Sequence, residues 1–170
     1  MTKKPAEDPK MGSETVRIIG IDPGLANTGW GIIESSRGKQ RALAYGHIQT
    51  KPHEQRYRRL HAIHDEITEV ISRYQPTEMA VEEVFFSTNA KSALITGEVR
   101  GVAILAASES GLTVDEYSAT QIKQTVVGEG RADKSQVQFM VKALLKLDQT
   151  PHPDHSADAL AAAICHARMR

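Results

Sequence analysis

From Val16 to Ile21 the chain reads V-R-I-I-G-I, an apolar and largely β-branched run that fits a buried strand. Pro23-Gly24 ends it, since proline lacks a ladder N–H and glycine accepts turn dihedrals. Trp30, Ile32 and Ile33 mark a second strand, and Ala42 to Gln49 a third. The short links Asn27-Thr28-Gly29 and Ser36-Arg37-Gly38 predict that these strands are antiparallel neighbours. The period then changes. Leu60, Ile63, Ile67, Val70, Ile71 and Tyr74 recur at three and four residues, which predicts an amphipathic helix over Glu54 to Tyr74. Met79 to Phe86 is a short apolar run interrupted by Glu82-Glu83, a fourth strand leading into a loop.

Asn89 to Ser108 reads as a long helix containing Gly97 and Gly101, and Leu112 to Tyr117 as a fifth strand. Ser118 to Val127 is a short helix, and Gly128-Glu129-Gly130 a break. Asp133 and Gln136 form a capping-box pattern before a helix whose inner face carries Val137, Met140, Val141, Leu144 and Leu145. An Ala-rich helix over Asp154 to Arg168 follows Pro151 and Pro153. Three strands in succession, then helix–strand alternation, predict an α/β protein with a five-stranded mixed sheet flanked by helices. The ribonuclease H-like fold has this order.

The 170 residues suit one domain with a real core, over 16–170. Residues 1–15 carry three Lys, three acids and two Pro with little that is apolar, and are expected to be a disordered tail. No apolar run reaches the ~20 residues that span a bilayer, so no membrane association is expected. Cys165 stands alone, without a disulfide or zinc partner, and a reduced, cytoplasmic protein is expected. Lys+Arg and Asp+Glu number 21 each, so nucleic-acid binding can rest only on local patches.

Candidate chemistry is acidic. Asp22 ends the first strand, Glu82 lies in the fourth, and His155 and Asp158, three apart, share a face at the start of the last helix. If strands one and four are neighbours, these side chains converge. Clustered carboxylates repel one another, and divalent cations relieve this. Mg²⁺ and Mn²⁺ prefer oxygen ligands, and a pair of such ions can activate water and stabilise a departing phosphate-ester oxygen. Each residue also has an ordinary reading. Asp before Pro-Gly is common turn chemistry, one of Glu82 and Glu83 must face outward, and acids in a first helical turn suit the dipole.

The stretches "GIDPG", "TGWGII", "AVEEVFF", "NAKSAL", "RGVAILAA", "QIKQTVVGEGRADKSQVQFMV" and "SADALAAAI" closely resemble the RuvC family of Holliday-junction resolvases, over about Arg17 to Arg168. The resemblance implies a ribonuclease H-like fold, a homodimer, and Mg²⁺- or Mn²⁺-dependent nicking of four-way DNA junctions in recombination and repair. It also implies partnership with the RuvA–RuvB branch-migration complex. The family's acidic site, which holds two ions, falls on Asp22, Glu82 and Asp158, with His155 as fourth ligand. Imidazole brings no negative charge and suits Mn²⁺ better than Mg²⁺, so a stronger preference for Mn²⁺ than in an all-carboxylate relative is expected. Asp154, four before Asp158, is the alternative ligand to His155.

From Tyr117 to Lys146 five bases stand against two acids. Lys142 and Lys146 suit the solvated face of a helix. Lys123, Arg131 and Lys134 flank the glycine break, and by resemblance the two lysines lie near the scissile phosphate, with Lys134 also placed to stabilise transition-state charge. Phe85-Phe86 is either core or, by resemblance through Phe85, a base-stacking element. Asn89, Lys91 and Ser92 resemble the family's DNA-facing loop, and Arg100 is a further candidate. Gly97 and Gly101 suit either tight packing on the sheet or close helix approach across a two-fold axis. Rival readings are a nuclease for RNA or RNA–DNA hybrids and a non-catalytic junction-binding module. An actin-type ATPase would need a second domain.

Overall fold

The structure, a computed structural model, describes residues 15–86 and 89–170. The expected tail thus lies outside the described residues except for Thr15. Five strands form one mixed sheet in the order β3-β2-β1-β4-β5, comprising β1 (Val16–Asp22), β2 (Asn27–Ser36), β3 (Lys39–Gln49), β4 (Glu78–Glu82) and β5 (Thr113–Tyr117). β1, β2 and β3 are antiparallel neighbours, while β4 runs parallel to both β1 and β5. The expected link at Asn27-Thr28-Gly29 is corrected. Those residues belong to β2, with Gly29 opposite Asp22, and the connection is made by residues 23–26.

β1 is the central strand and is buried on both faces, which is why it reads as a continuous apolar run. Ile18 faces a core shared with α3 (Ala119–Val127), α4 (Lys134–Leu145) and α5 (Asp154–Met169). Ile19 and Ile21 face a second core under α1 (Arg56–Tyr74) and α2 (Ala90–Glu109). The capping box expected at Asp133 and Gln136 is formed, and Ser118 and Gln121 form another at α3.

α5 lies unusually close to the sheet. A Cβ at Gly20 would sit 1.9 Å from the Ala159 carbonyl oxygen, and one at Gly29 would sit 1.9 Å from that of His155. Only glycine admits such an approach, and the alanines at 157, 159, 161, 162 and 163 supply a thin helix face to match. At its other end α5 is tied to the sheet through His166, whose Nδ1 lies 2.7 Å from the Tyr117 hydroxyl and Nε2 2.7 Å from Glu78. Burial pushes the Tyr117 phenol up to about 12.

Candidate metal centre and DNA-facing surface

Asp22 and Glu82 occupy the carboxyl ends of two parallel neighbours, since Ile21 is in register with Val81. The end of an α/β sheet where the chain reverses its winding is a usual place for a ligand site. The turn that carries Asp22 onward is held from within. Thr28 Oγ1 donates to the Gly24 carbonyl at 2.7 Å, and Thr50 Oγ1 donates to that of Leu25 at 2.6 Å.

α5 supplies the other side of the site. Because Gly29 pairs with Asp22 and touches the backbone of His155, the helix begins directly beside the end of β1. His155 Nδ1 lies 2.8 Å from Asp22 Oδ2. One ligand atom each from Asp22, His155 and Asp158 falls within 4.8 Å of the others. Glu82 is not part of that group; it lines the adjoining cleft with Asp22 and a second recess with Asp158, Lys123 and Lys134. The expected convergence is thus realised by Asp22, His155 and Asp158 and does not extend to Glu82.

The electrostatics have the signature of an anionic site. Burial, reinforced by Asp22 and Asp158, pushes the Glu82 carboxyl up to about 7. Burial and Asp22 also raise Asp158, with Lys134 pulling the other way. His155 is raised by its hydrogen bond to Asp22, against the effect of burial. Burial works against the Lys134 ammonium, but Asp158 and Asp154 outweigh it and raise its pKa. Lys134 Nζ stands 3.4 Å from Asp158 and 3.5 Å from Asp154. Carboxylates and an imidazole on rigid element ends, with excess negative charge, fit divalent cations in donor type and charge. Asp154 is turned aside to Lys134 and to Gln138, whose Nε2 donates to it at 2.9 Å, so His155 rather than Asp154 joins the group.

The other candidates divide by position. Phe85 and Phe86 are 83% and 72% exposed, which overturns the core reading of this pair. Phe85, Asn89 and Ser92 line the cleft with Asp22 and Glu82. The Asn89 side chain caps α2, accepting from the Ser92 amide at 3.1 Å. Lys91 is exposed on the first turn of α2, and Arg131 is exposed just before α4. Arg100 forms an ion pair with Glu116 of β5 and does not line the cleft. A Cβ at Gly97 or Gly101 would meet nothing within 4 Å, so neither glycine serves tight packing on the sheet. Gln138 and the threonines that hold the Asp22 turn were not legible from the sequence, since hydroxyl and amide side chains carry no periodic signal. Gly29 reads in the sequence as part of a link, and only its place in β2 shows it as a glycine within a strand where another backbone approaches.

The family model for the crossover junction endodeoxyribonuclease RuvC matches residues 18–166. The chain is 53% identical over 150 residues to the crossover junction endodeoxyribonuclease RuvC of Moorella thermoacetica, covering 88% of this chain and 90% of that protein. It is 49% identical over 152 residues to that of Caldicellulosiruptor saccharolyticus, covering 89% and 92%. The solved structure of Thermus thermophilus RuvC in complex with a Holliday junction substrate is similar with a TM-score of 0.84 and 38% identity, over 89% of this chain and 93% of that one. The yeast mitochondrial Holliday junction resolvase shares the fold at 14% identity, with a TM-score of 0.61 over 92% of this chain and 79% of that one. With its sheet order, its acidic group and these likenesses in agreement, the chain belongs to the RuvC family of crossover junction endodeoxyribonucleases.

Proposed function

We propose that residues 16–170 form a single nuclease domain that resolves four-way DNA junctions by paired, symmetric phosphodiester hydrolysis. The observation that carries this reading is the convergence of Asp22, His155 and Asp158 within 4.8 Å, beside a Glu82 carboxyl raised to about 7, on a chain of this family. Asp22, Glu82, His155 and Asp158 would hold two divalent ions, Mn²⁺ in preference to Mg²⁺, and ions bound there would supply Lewis-acid activation of a water and charge stabilisation at the leaving oxygen. The chain's own groups do the rest. β1, β4 and α5 keep the donors fixed, and the Asp22 contact orients the His155 ring. Lys134 presents its ammonium to the charge that develops on the scissile phosphate. Lys123, Arg131, Lys91, Asn89 and Ser92 position the backbone, and exposed Phe85 stacks on an unpaired base at the crossover.

Two cuts related by a dyad require two sites, and a homodimer supplies them. The outward-facing Gly97 and Gly101, with exposed Leu94 and Leu105 on the same helix, support α2 as the contact between copies. A RuvA–RuvB complex as partner accords with junction cleavage, and a cytoplasmic location accords with the single, unpaired Cys165. Among the described residues no helix is long and apolar enough to cross a membrane.

The test compares cleavage of a synthetic mobile four-way junction, an RNA–DNA hybrid and plain duplex by the wild type and Asp22→Asn, with binding measured alongside. Selective junction cleavage, lost in the variant while binding persists, is expected. Equal cleavage of the hybrid would favour a ribonuclease, and unchanged activity of Asp22→Asn would overturn the site.

A further inference from the structure

The segment K-P-H-E-Q-R-Y-R-R, residues 51–59, holds four bases, Lys51, Arg56, Arg58 and Arg59, against one acid, Glu54. In a chain whose formal charge is zero this is a local concentration of positive charge. It comprises the connection after β3 and the first turn of α1. That turn carries three arginines and no acid, and Gln55 makes no side-chain cap, the reverse of what helix stability favours at an amino terminus. Like charges gathered against a helix's positive end destabilise the isolated protein and are relieved by a polyanion.

Two of the four bases act as fasteners. Arg59 Nε donates to Thr50 Oγ1 at 2.7 Å, and that hydroxyl donates on to the Leu25 carbonyl in the turn behind Asp22. Arg56 pairs with Glu98 of α2 at 3.2 Å, on the helix whose start lines the cleft. The segment is thereby fixed at the same end of the sheet as the acidic site. The other two bases point to solvent. Lys51 and Arg58 are exposed and have no carboxylate partner among the described residues. Arg58 is held outward by Tyr57, its Nε 3.1 Å from the phenol oxygen and its guanidinium 5.8 Å over the ring. Tyr57 is itself 65% exposed.

We propose that Lys51 and Arg58, supported by Tyr57, form a second DNA-contact surface that grips the phosphates of a duplex arm leading out of the cleft. This rests on the junction-cleavage reading above. Duplex DNA suits the surface because a scissile phosphodiester in the cleft puts the same continuous polyanion beside this end of the sheet. Phosphate contacts of this type set register and affinity and carry no base preference.

The test uses the full chain in EDTA, where no cleavage occurs, with a four-way junction titrated at several KCl concentrations. Loss of two phosphate contacts makes the slope of log affinity against log salt shallower by about 2. That change is expected for Lys51→Gln/Arg58→Gln, together with loss of hydroxyl-radical protection on an arm while protection at the crossover persists. Arg37→Gln/Lys39→Gln, an equally charged exposed pair at the opposite end of the sheet, is the control and leaves both readouts unchanged. An unchanged slope, lost protection only at the crossover, or an equal effect of the control pair overturns the proposal. A wild type that cleaves no junction sinks the functional reading instead, while the salt slope still decides the contact.

Discussion

Replacing Glu82 with Gln stabilises the metal-free protein at alkaline pH while removing a proposed ligand. Burial and two neighbouring carboxylates push this carboxyl from its ordinary 4.5 up to about 7. An acid whose folded pKa lies above its unfolded value destabilises the fold when ionised. The folded state binds more protons between the two values, so stability falls as pH rises through that window. The cost is absent below about 4.5, accumulates to about 7, and is complete above it. At ~1.4 kcal/mol per pH unit the full rise amounts to about 3 kcal/mol. Glu82→Gln keeps the shape and drops the charge, so in EDTA its thermal midpoint exceeds that of the wild type at pH 8.5 by roughly 6–12 °C. At pH 5 most of the difference disappears. Differential scanning calorimetry of both proteins at the two pH values measures this directly. A variant no more stable than wild type at pH 8.5, or stabilised equally at both, refutes the electrostatic account of the site.

Gly29→Ala drives a methyl into the His155 carbonyl, where the Cβ would lie at 1.9 Å, and so displaces the start of α5 from β2. Metal affinity measured by calorimetric titration falls more than tenfold, even in preparations whose circular dichroism is native. Lys134→Ala removes the cation beside Asp158 and lowers the single-turnover cleavage rate ~10–100-fold with little loss of junction binding; a pure binding loss would assign Lys134 to affinity alone. Junction cleavage is faster in Mn²⁺ than in Mg²⁺ at matched concentrations, and His155→Asp narrows the ratio; equal rates for the wild type would remove the imidazole argument.

The order of elements was legible in the sequence because it depends on local signals. Apolar β-branched runs, period-3.6 apolar spacing, Pro23-Gly24, and the Asp133–Gln136 box act over a few residues, and each marks an element or its end that the structure contains. Asp22, Glu82, His155 and Asp158 could likewise be picked out as polar groups at element ends. Their convergence could be stated only on condition that strands one and four are neighbours, and the structure realises it for Asp22, His155 and Asp158 but not for Glu82. Asp22 and His155 are 133 positions apart, and they touch because β1 pairs with β2, setting Gly29 opposite Asp22, and because Gly29 lets α5 settle onto the sheet. Composition left Phe85-Phe86 and the two glycines of α2 open between core and surface; packing decided for exposure in both cases. Arg100 looked available for DNA until β5 brought Glu116 to it. Turn and capping hydrogen bonds and side-chain periodicity are properties of neighbours in the chain, whereas charge clustering, burial and the pKa of Glu82 depend on which distant elements lie side by side. Only the tertiary structure determines that.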